Sequence, residues 1–192
     1  MKLDRNFYVR DTLTVAKDLI GKILVHQTES GICKGRIIET EAYIGAIDKA
    51  SHAYNNKRTP RTEIMFGVGG FSYVYLIYGM YYCMNIVSNE KDYGEAVLIR
   101  AIEPLEGIEL MKERRKTDKL GNLCSGPGKL CLAMGIDKTC NGIDLCGDKL
   151  YVESDERGEE EIKITATKRI NIDYAEEARD FPWRFVYEGR KK

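Results

Sequence analysis

Residues 22–45 read KILVHQTESGICKGRIIETEAYIG, and this stretch decides how the sheet of the protein is built. Apolar and β-branched residues fill KILVHQ and CKGRIIETEAYIG, whereas Glu29, Ser30 and Gly31 between them are typical turn residues. The pattern therefore predicts two antiparallel strands joined by a short turn.

The second of these strands carries two acids on one face. Because successive side chains alternate between the faces of a strand, Glu39, Glu41 and Tyr43 share a face. Carboxylates are costly to bury, so two of them beside an aromatic in an apolar strand are unusual. A partly desolvated carboxylate gains proton affinity and can act as a general base towards water. The alternative, solvated acids on an edge strand, fits the same pattern.

The rest of the chain extends this sheet. FSYVYLI and MYYCMNIVS flank a Tyr78-Gly79 turn and predict a second hairpin. EAVLIRAIEP and KITATKRI are two further strands, and FPWRFVY is a final extended piece. Strands joined by hairpins, with helices outside them, indicate an α+β fold in a single domain over residues 1–192. We expect a curved, largely antiparallel, barrel-like sheet with peripheral helices.

Helices are predicted where capping residues precede apolar positions at helical spacing. Thr12 or Thr14 is expected to cap a short helix that ends at Gly21. Ser125 is expected to cap a helix that begins around Gly126, and LEGIELMKERR and YAEEAR are two more helical segments. These helices would lie outside the sheet and cover its apolar face.

Composition restricts the class of protein. Apolar residues make up 43% of the chain and charged residues 31%, which is typical of a folded soluble domain. No run approaches the roughly 18 apolar residues of a membrane span, and the N-terminal MKLDRNFYVRD has no signal-peptide core. We expect a cytoplasmic or nucleoid-associated monomer without a membrane partner.

The six cysteines indicate free thiols and not a metal site. They show no C-x-x-C spacing, and the two histidines lie far upstream of the last four cysteines. Buried thiols in a reducing compartment are therefore the expected arrangement, and no metal ligand set is predicted.

Charge is balanced overall but unevenly placed. The 30 basic and 30 acidic side chains cancel, which by itself does not indicate a nucleic-acid partner. Residues 53–61 and 112–119 each carry a net charge of +3, whereas residues 153–161 carry −5. A neutral chain can thus present a basic face opposite an acidic one.

Three further segments carry candidate site residues. The loop KASHAYNNKRTPR contains His52, whose ring could form a pocket wall. LCSGPGKL places Lys129 in the first turn of a Gly-rich helix start, which suits a phosphate but lacks the spacing of a nucleotide P-loop. At the second hairpin's tip, Tyr78 could enter a base stack or mark a contact with another protein.

Together and in this order, these segments resemble the alkyladenine (3-methyladenine) DNA glycosylase family, the single-domain type without a helix-hairpin-helix. The matching strings are GRIIETEAYIG, SHAYNNKRTPR, YVYLIYGMYYCMNIV, VLIRAIEPLEG and LCSGPGKLCLAMGI, and a looser match reaches FPWRFV. The resemblance implies an enzyme that flips alkylated purines out of double-stranded DNA and hydrolyses their N-glycosidic bond. It implies an abasic product and no metal or redox cofactor.

The resemblance also implies roles for the residues of the pocket. Glu41 would activate the attacking water, and Arg100 would help to hold that water beside it. Tyr43, His52 and Tyr75 would form the walls that sandwich the flipped base.

Four more residues receive roles in discrimination and DNA binding. Asn85 would crowd out the exocyclic amine of guanine, and Tyr78 would take the place of the flipped base in the duplex. Arg61 and Lys129, which lie in the basic loop and at the Gly-rich helix start, would contact the DNA backbone.

Two other functions fit parts of the pattern. A non-catalytic module that binds nucleic-acid lesions would use the tyrosine hairpin as a stacking platform, but it has no use for Glu41. A carbohydrate hydrolase would use Glu39 and Glu41 as a pair, since residues two apart on a strand lie roughly 6.5–7 Å apart at Cα. The single tryptophan, Trp183, disfavours a sugar-binding platform.

Overall fold

The computed structural model describes residues 1–155 and 162–189. The predicted acidic run at 153–161 therefore lies largely outside the described residues. The helices and strands are α1 (Arg5–Tyr8), α2 (Thr12–Asp18), β1 (Ile23–Thr28), β2 (Gly31–Ile44), β3 (Ser72–Ile77), β4 (Tyr81–Ser88), β5 (Glu95–Glu106), α3 (Ile108–Arg115), α4 (Pro127–Met134), β6 (Leu150–Glu153), β7 (Ile164–Thr167) and β8 (Arg184–Tyr187). Short 3₁₀ helices occupy Tyr54–Asn56, Glu63–Phe66, Leu120–Asn122, Lys138–Cys140 and Asp173–Asp180.

Strand β2 is the centre of an antiparallel sheet. The strands follow the order β3-β4-β5-β2-β1-β6, and β8 pairs with both β2 and β7. On one edge β2 pairs with β5, while β1 and then β8 share the other edge. The predicted α+β class and both predicted hairpins are confirmed. In the part of the chain that the structure describes, β3 and β6 do not pair, so the sheet stays open and does not close into a barrel.

Two of the three irregularities in the pairing of β2 with β5 lie on either side of Glu39. The register slips by one residue at Ile38 in β2 and by one residue at Arg100 in β5. A β-bulge of this kind bends its strand, increases the local twist and re-aims a side chain. At the second bulge this side chain is that of Arg100, a predicted site residue.

The apolar core lies between the sheet and helices α2, α3 and α4. Helix α4 packs on β4 and β5, and α2 packs on β2 and β5. Full burial of a large apolar side chain stabilises the fold by about 1.5–3 kcal/mol, so this layer carries much of the stability. The largest buried side chains include Tyr8, Leu19, Leu24, Ile37, Met84, Ile99, Met111 and Leu130.

The predicted cap of α2 is wrong by one residue or more. Asp11, and not Thr12 or Thr14, precedes the helix, and its carboxylate accepts a hydrogen bond from the backbone N–H of Thr14 at 2.9 Å. Aspartate is as good an N-cap as a hydroxyl residue, and its negative charge also suits the helix N-terminus. Because Asp11, Thr12 and Thr14 can all cap a helix, the sequence alone does not determine which of them does.

The predicted cap of α4 is also wrong. Gly126 occupies the cap position in an extended conformation, and no side chain caps the helix. Pro127, whose missing N–H costs nothing at the first helical position, begins the helix. The Ser125 hydroxyl instead lies 3.4 Å from the side chain of Asn122.

The cysteines are free thiols, and five of the six are buried. Within residues 1–155 and 162–189, no group of three or more His, Cys, Asp or Glu side chains could hold a metal ion. No helix in these two ranges has the length and apolar character of a membrane span.

Candidate active site

The carboxylate of Glu41 is buried at the middle of the sheet. Glu41 has no exposed surface and pairs with Leu98 of β5 on one side and Arg184 of β8 on the other. Its Oε2 accepts a hydrogen bond from the Tyr43 hydroxyl at 2.8 Å, and its Oε1 accepts one from the backbone N–H of Ile170 at 2.8 Å. The alternative of solvated acids on an edge strand is wrong, because β2 is paired along both edges.

Arg100 completes the surroundings of this carboxylate. Its side chain leaves the bulge in β5, and its Nη1 lies 3.4 Å from Oε2 of Glu41. Its Nε donates to Oε1 of Glu39 at 3.1 Å, and Nη1 of Arg184 donates to the same Glu39 oxygen at 2.9 Å. Two guanidinium groups therefore balance two carboxylates in a region that little water reaches.

A cavity of about 480 Å³ opens next to Glu41. Its size falls within the range of about 300–1,000 Å³ typical of small-molecule sites. Glu41 does not itself line the cavity, but its three hydrogen-bonding partners do, so the carboxylate lies directly behind the wall. Seven of the nine predicted site residues line the cavity: Tyr43, His52, Tyr75, Tyr78, Asn85, Arg100 and Lys129.

Glu39 does not line this cavity, although it shares a strand face with Glu41. Its carboxylate is 8% exposed and is engaged by Arg100 and Arg184. A carbohydrate hydrolase would need both carboxylates to face the bond that breaks. The geometry therefore does not support the pair of acids as a hydrolytic couple.

Aromatic rings form one wall of the cavity. The rings of His52 and Tyr75 meet edge to face with their centroids 4.7 Å apart, and Tyr73 lies 5.3 Å from Tyr75. A hydrogen bond of 2.9 Å joins Nδ1 of His52 to the Tyr73 hydroxyl and fixes the histidine ring. The guanidinium of Arg61 stacks over Tyr75 at 5.0 Å from its centroid. This wall is rigid and suits a flat aromatic ligand.

His52 is neutral at physiological pH. Burial of its ring among the tyrosines, and then the positive charge of Arg61, lower its pKa from 6.5 to about 4. The residue as a whole remains exposed at the mouth of the cavity, but its ring packs against Tyr73 and Tyr75. A neutral wall does not repel a positively charged ligand.

Tyr78 stands at the tip of the β3–β4 hairpin. It is 77% exposed, and both it and Gly79 have positive φ values, of 53° and 68°. Two positive φ values are the requirement of a type I′ turn, where Asn or Gly is the usual first residue, and the N–H of Met80 donates to the carbonyl of Ile77 at 3.2 Å. A tyrosine in the left-handed region is unfavourable for the fold.

Asn85 lies on the floor of the cavity. Its side chain is 4% exposed, and its Nδ2 donates to the backbone carbonyl of Tyr73 at 3.1 Å. This bond across the β3–β4 pair fixes the position of the amide. A ligand that enters the cavity therefore meets a polar group that cannot easily move aside.

A basic helix start forms the opposite rim. Gly126, Pro127, Gly128 and Lys129 line the cavity at the beginning of α4. Lys129 contacts the side-chain oxygens of Asn122 and Ser125, which are neutral. An ammonium group beside the N–H groups of a first helical turn suits an anion such as a phosphate.

One segment of the site was not predicted from the sequence. Ile170, Asn171, Ile172 and Tyr174, which follow β7, line the cavity, and the N–H of Ile170 holds Glu41. A backbone donor leaves no trace in residue type, and Ile170 falls at the end of the predicted strand KITATKRI, whereas the observed strand β7 ends at Thr167. Only the docking of β8 and β7 beside β2 brings the segment to the site.

The fold and site together define a class of protein. A buried carboxylate lies behind a cavity with aromatic walls, an exposed aromatic ring stands at the mouth, and a basic helix start lies across from it. This arrangement is chemically suited to a flat ring that is carried by an anionic polymer.

Similarity to known proteins gives the family. Residues 6–191 match the family model described as methylpurine-DNA glycosylase. A relative from Alkaliphilus oremlandii is 58% identical, with 96% of this chain and 95% of the relative covered. Relatives from Clostridium perfringens and Desulfitobacterium hafniense are 55% and 54% identical, with at least 95% of every chain covered. Each relative carries the provisional name 3-methyladenine DNA glycosylase.

The chain belongs to the methylpurine-DNA glycosylase family. It is a DNA glycosylase, an enzyme of base-excision repair. The family resemblance predicted from the sequence is therefore confirmed, whereas the roles of individual residues stay predictions.

Because Tyr78 is exposed, its contribution to stability and its predicted contribution to DNA binding can be measured separately. We expect Tyr78→Ser to change the free energy of unfolding by no more than ~0.5 kcal/mol, because the ring packs against little. Truncating buried Tyr73 to Ala, the matched control on the same hairpin, should cost about 3–5 kcal/mol. Excision from a duplex should fall more than excision from single strands, in which the base is already accessible. A large drop in melting temperature for Tyr78→Ser, or equal losses on both substrates, would show a packing role.

The lowered pKa of His52 can be measured by NMR. We expect its ring proton to titrate near pH 4, with the signal assigned by its loss in His52→Gln. The pKa of His52 is lower in the folded than in the unfolded state. Its contribution to the free energy of unfolding is therefore fully present above pH 6.5 and is lost as the pH falls towards 4. A midpoint near 6.5 would contradict the enclosed ring.

Proposed function

We propose that this enzyme releases alkylated purines from double-stranded DNA by hydrolysing the N-glycosidic bond of a base flipped into the 480 Å³ cavity. The observation that carries the proposal is the buried Glu41 carboxylate, held by three donors directly behind the cavity wall. The product is an abasic site. Chromosomal DNA as the substrate would place the enzyme at the nucleoid.

The aromatic walls favour a cationic base. Methylation at N3 or N7 makes a purine positively charged, and a cation is attracted to the faces of Tyr43 and Tyr75. His52 completes the walls without repelling the base, because its low pKa keeps it neutral. The same positive charge weakens the glycosidic bond, so the site selects bases that are already good leaving groups.

Glu41 serves the bond-breaking step in two ways. As the C1′–N bond breaks, its electron pair leaves with the base, and the sugar gains positive charge that the carboxylate stabilises. A water oxygen then bonds to C1′ and passes its proton to Glu41. The 3.4 Å contact from Arg100 is the longest of the three contacts, so a small shift of its guanidinium opens a place for that water.

The rim of the cavity holds the DNA. Tyr78 fills the gap in the duplex, and Lys129 at the start of α4 neutralises a nearby phosphate. Arg61, stacked on Tyr75, reaches a second phosphate from the other side. One chain supplies the cavity, the wedge and both cations, so the proposal needs only a monomer.

The decisive experiment uses duplexes that each contain one candidate base: 3-methyladenine, 7-methylguanine, hypoxanthine or etheno-adenine. Alkaline treatment cleaves the strand wherever the enzyme has left an abasic site. We expect cleavage with at least one cationic base. Binding without cleavage of any duplex would instead support the non-catalytic lesion-binding module. If the protein neither binds nor cleaves any of the duplexes, both functions are refuted.

Asn85 should set discrimination against normal guanine. We expect Asn85→Ser to make unmodified guanine excisable at a detectable rate, because the smaller side chain leaves room for the exocyclic amine. Excision of hypoxanthine, which lacks that amine, serves as the control and should change much less. If the ratio of guanine to 7-methylguanine excision is unchanged, Asn85 does not hold this position.

A further inference from the structure

Directly behind the cavity, Arg169 and Asp48 form a fully buried ion pair. Both side chains have no exposed surface, and Nη1 and Nη2 of Arg169 lie 2.5 and 2.8 Å from the two carboxylate oxygens of Asp48. The same nitrogens also donate to the backbone carbonyls of Ala42, at 2.9 Å, and Ala178, at 3.1 Å. The pair therefore joins strand β2, the loop that follows it and the segment after β7.

The pair lies against one wall of the cavity. The guanidinium carbon of Arg169 is 4.7 Å from the centroid of the Tyr43 ring and 5.1 Å from that of Trp183. One face of Tyr43 is thus covered by a cation, and only the opposite face is left for a ligand. A base stacked on that face would lie roughly 8 Å from the charge of Arg169, given a stacking distance of about 3.5 Å.

Positive and negative side chains around this wall are equal in number. Among the described residues that surround Glu41 and Tyr43, three guanidinium groups face three carboxylates: Arg100, Arg169 and Arg184, with Glu39, Glu41 and Asp48. An arginine keeps its charge even when buried, so Arg169 cannot become neutral if its partner is lost. Asp48 is the only one of the three carboxylates that contacts Arg169.

We propose that Asp48 is a specificity-determining residue that cancels the charge of Arg169, so that the wall formed by Tyr43 accepts a positively charged purine. This inference rests on the proposed function. Arg169 provides the rigid connection among three segments, and Asp48 prevents that cation from repelling the substrate. Asp48 touches no ligand and is a positioning and charge-balancing group, not a catalytic residue.

The test compares two bases of the same shape and different charge. One duplex carries 7-methylguanine on a 2′-fluoro sugar, which resists loss of the base, and the other carries neutral 7-methyl-7-deazaguanine on the same sugar. Dissociation constants are measured for the parent and for the variants Asp48→Asn, Arg169→Gln and Asp48→Asn with Arg169→Gln. Melting curves set a temperature at which each variant is folded.

The ratio of the two affinities is the readout. In Asp48→Asn, the preference for the cationic base should fall by about 10- to 30-fold, the effect of one unit charge at roughly 8 Å with an effective dielectric constant near 20. Arg169→Gln leaves Asp48 uncompensated and should raise the preference. The double variant should return the ratio to within about threefold of the parent, although both affinities are weaker.

The outcomes separate this inference from the proposed function. If the parent neither binds 7-methylguanine nor releases it from an ordinary sugar, the proposed function fails. If the parent does both, but Asp48→Asn and Arg169→Gln lower the two affinities equally, the pair is only structural. A double variant that keeps the altered ratio of Asp48→Asn would also overturn the inference, and single variants that shift the ratio in opposite directions support it.

Discussion

The Glu41 carboxylate has no access to water and is held by donors from three separate parts of the chain. An ionised group that is buried without partners would be strongly unfavourable, so each donor is a condition for the fold as well as for the site. The Tyr43 hydroxyl comes from the same strand, Arg100 comes from a bulge in β5, and the N–H of Ile170 comes from the segment after β7. These three contacts form only when β5 and the segment after β7 pack beside β2.

The charges around Glu41 are better explained by function than by stability. Replacing a buried ion pair with apolar side chains is often neutral or stabilising. Here Glu39, Asp48 and their arginine partners occupy space beside a core that is otherwise apolar. The strained conformation of Tyr78 at the hairpin tip is a similar case, because Asn or Gly would suit the turn better. In each case a less stable local choice fits the proposed binding of a charged, flat base.

Much of this arrangement is visible in the sequence. Strand alternation correctly placed Glu41 and Tyr43 on one face, and the Tyr78-Gly79 turn correctly placed an aromatic ring at an exposed tip. Asn85 and Arg100 were predicted from the family resemblance alone, because no local sequence pattern distinguishes them. Seven of the nine predicted residues line one cavity, although they come from five separate segments.

The remaining features depend on tertiary structure. The N–H of Ile170 is a backbone donor and has no signature in residue type. The pairing of Asp48 with Arg169 joins residues 121 positions apart, and the strand predicted over KITATKRI does not indicate that Arg169 reaches the loop after β2. The cap of α2 was assigned wrongly because Asp11, Thr12 and Thr14 are all suitable, and only the geometry selects Asp11. The open edge of the sheet likewise depends on strand order, which hairpin signals do not determine.

The proposed reaction depends most directly on Glu41 as the group that activates water. Single-turnover excision of 7-methylguanine from a duplex, measured together with duplex affinity, compares the parent with Glu41→Gln. Glutamine keeps the shape and can still accept the hydrogen bond from Ile170, but it cannot take a proton from water. We predict that Glu41→Gln still binds the duplex, with an affinity for the cationic base lowered by the loss of one buried negative charge, and that at saturating enzyme it loses at least 100-fold in excision rate, in line with the ~10²–10⁴-fold contribution of general base catalysis. Excision within a few-fold of the parent rate would contradict this prediction.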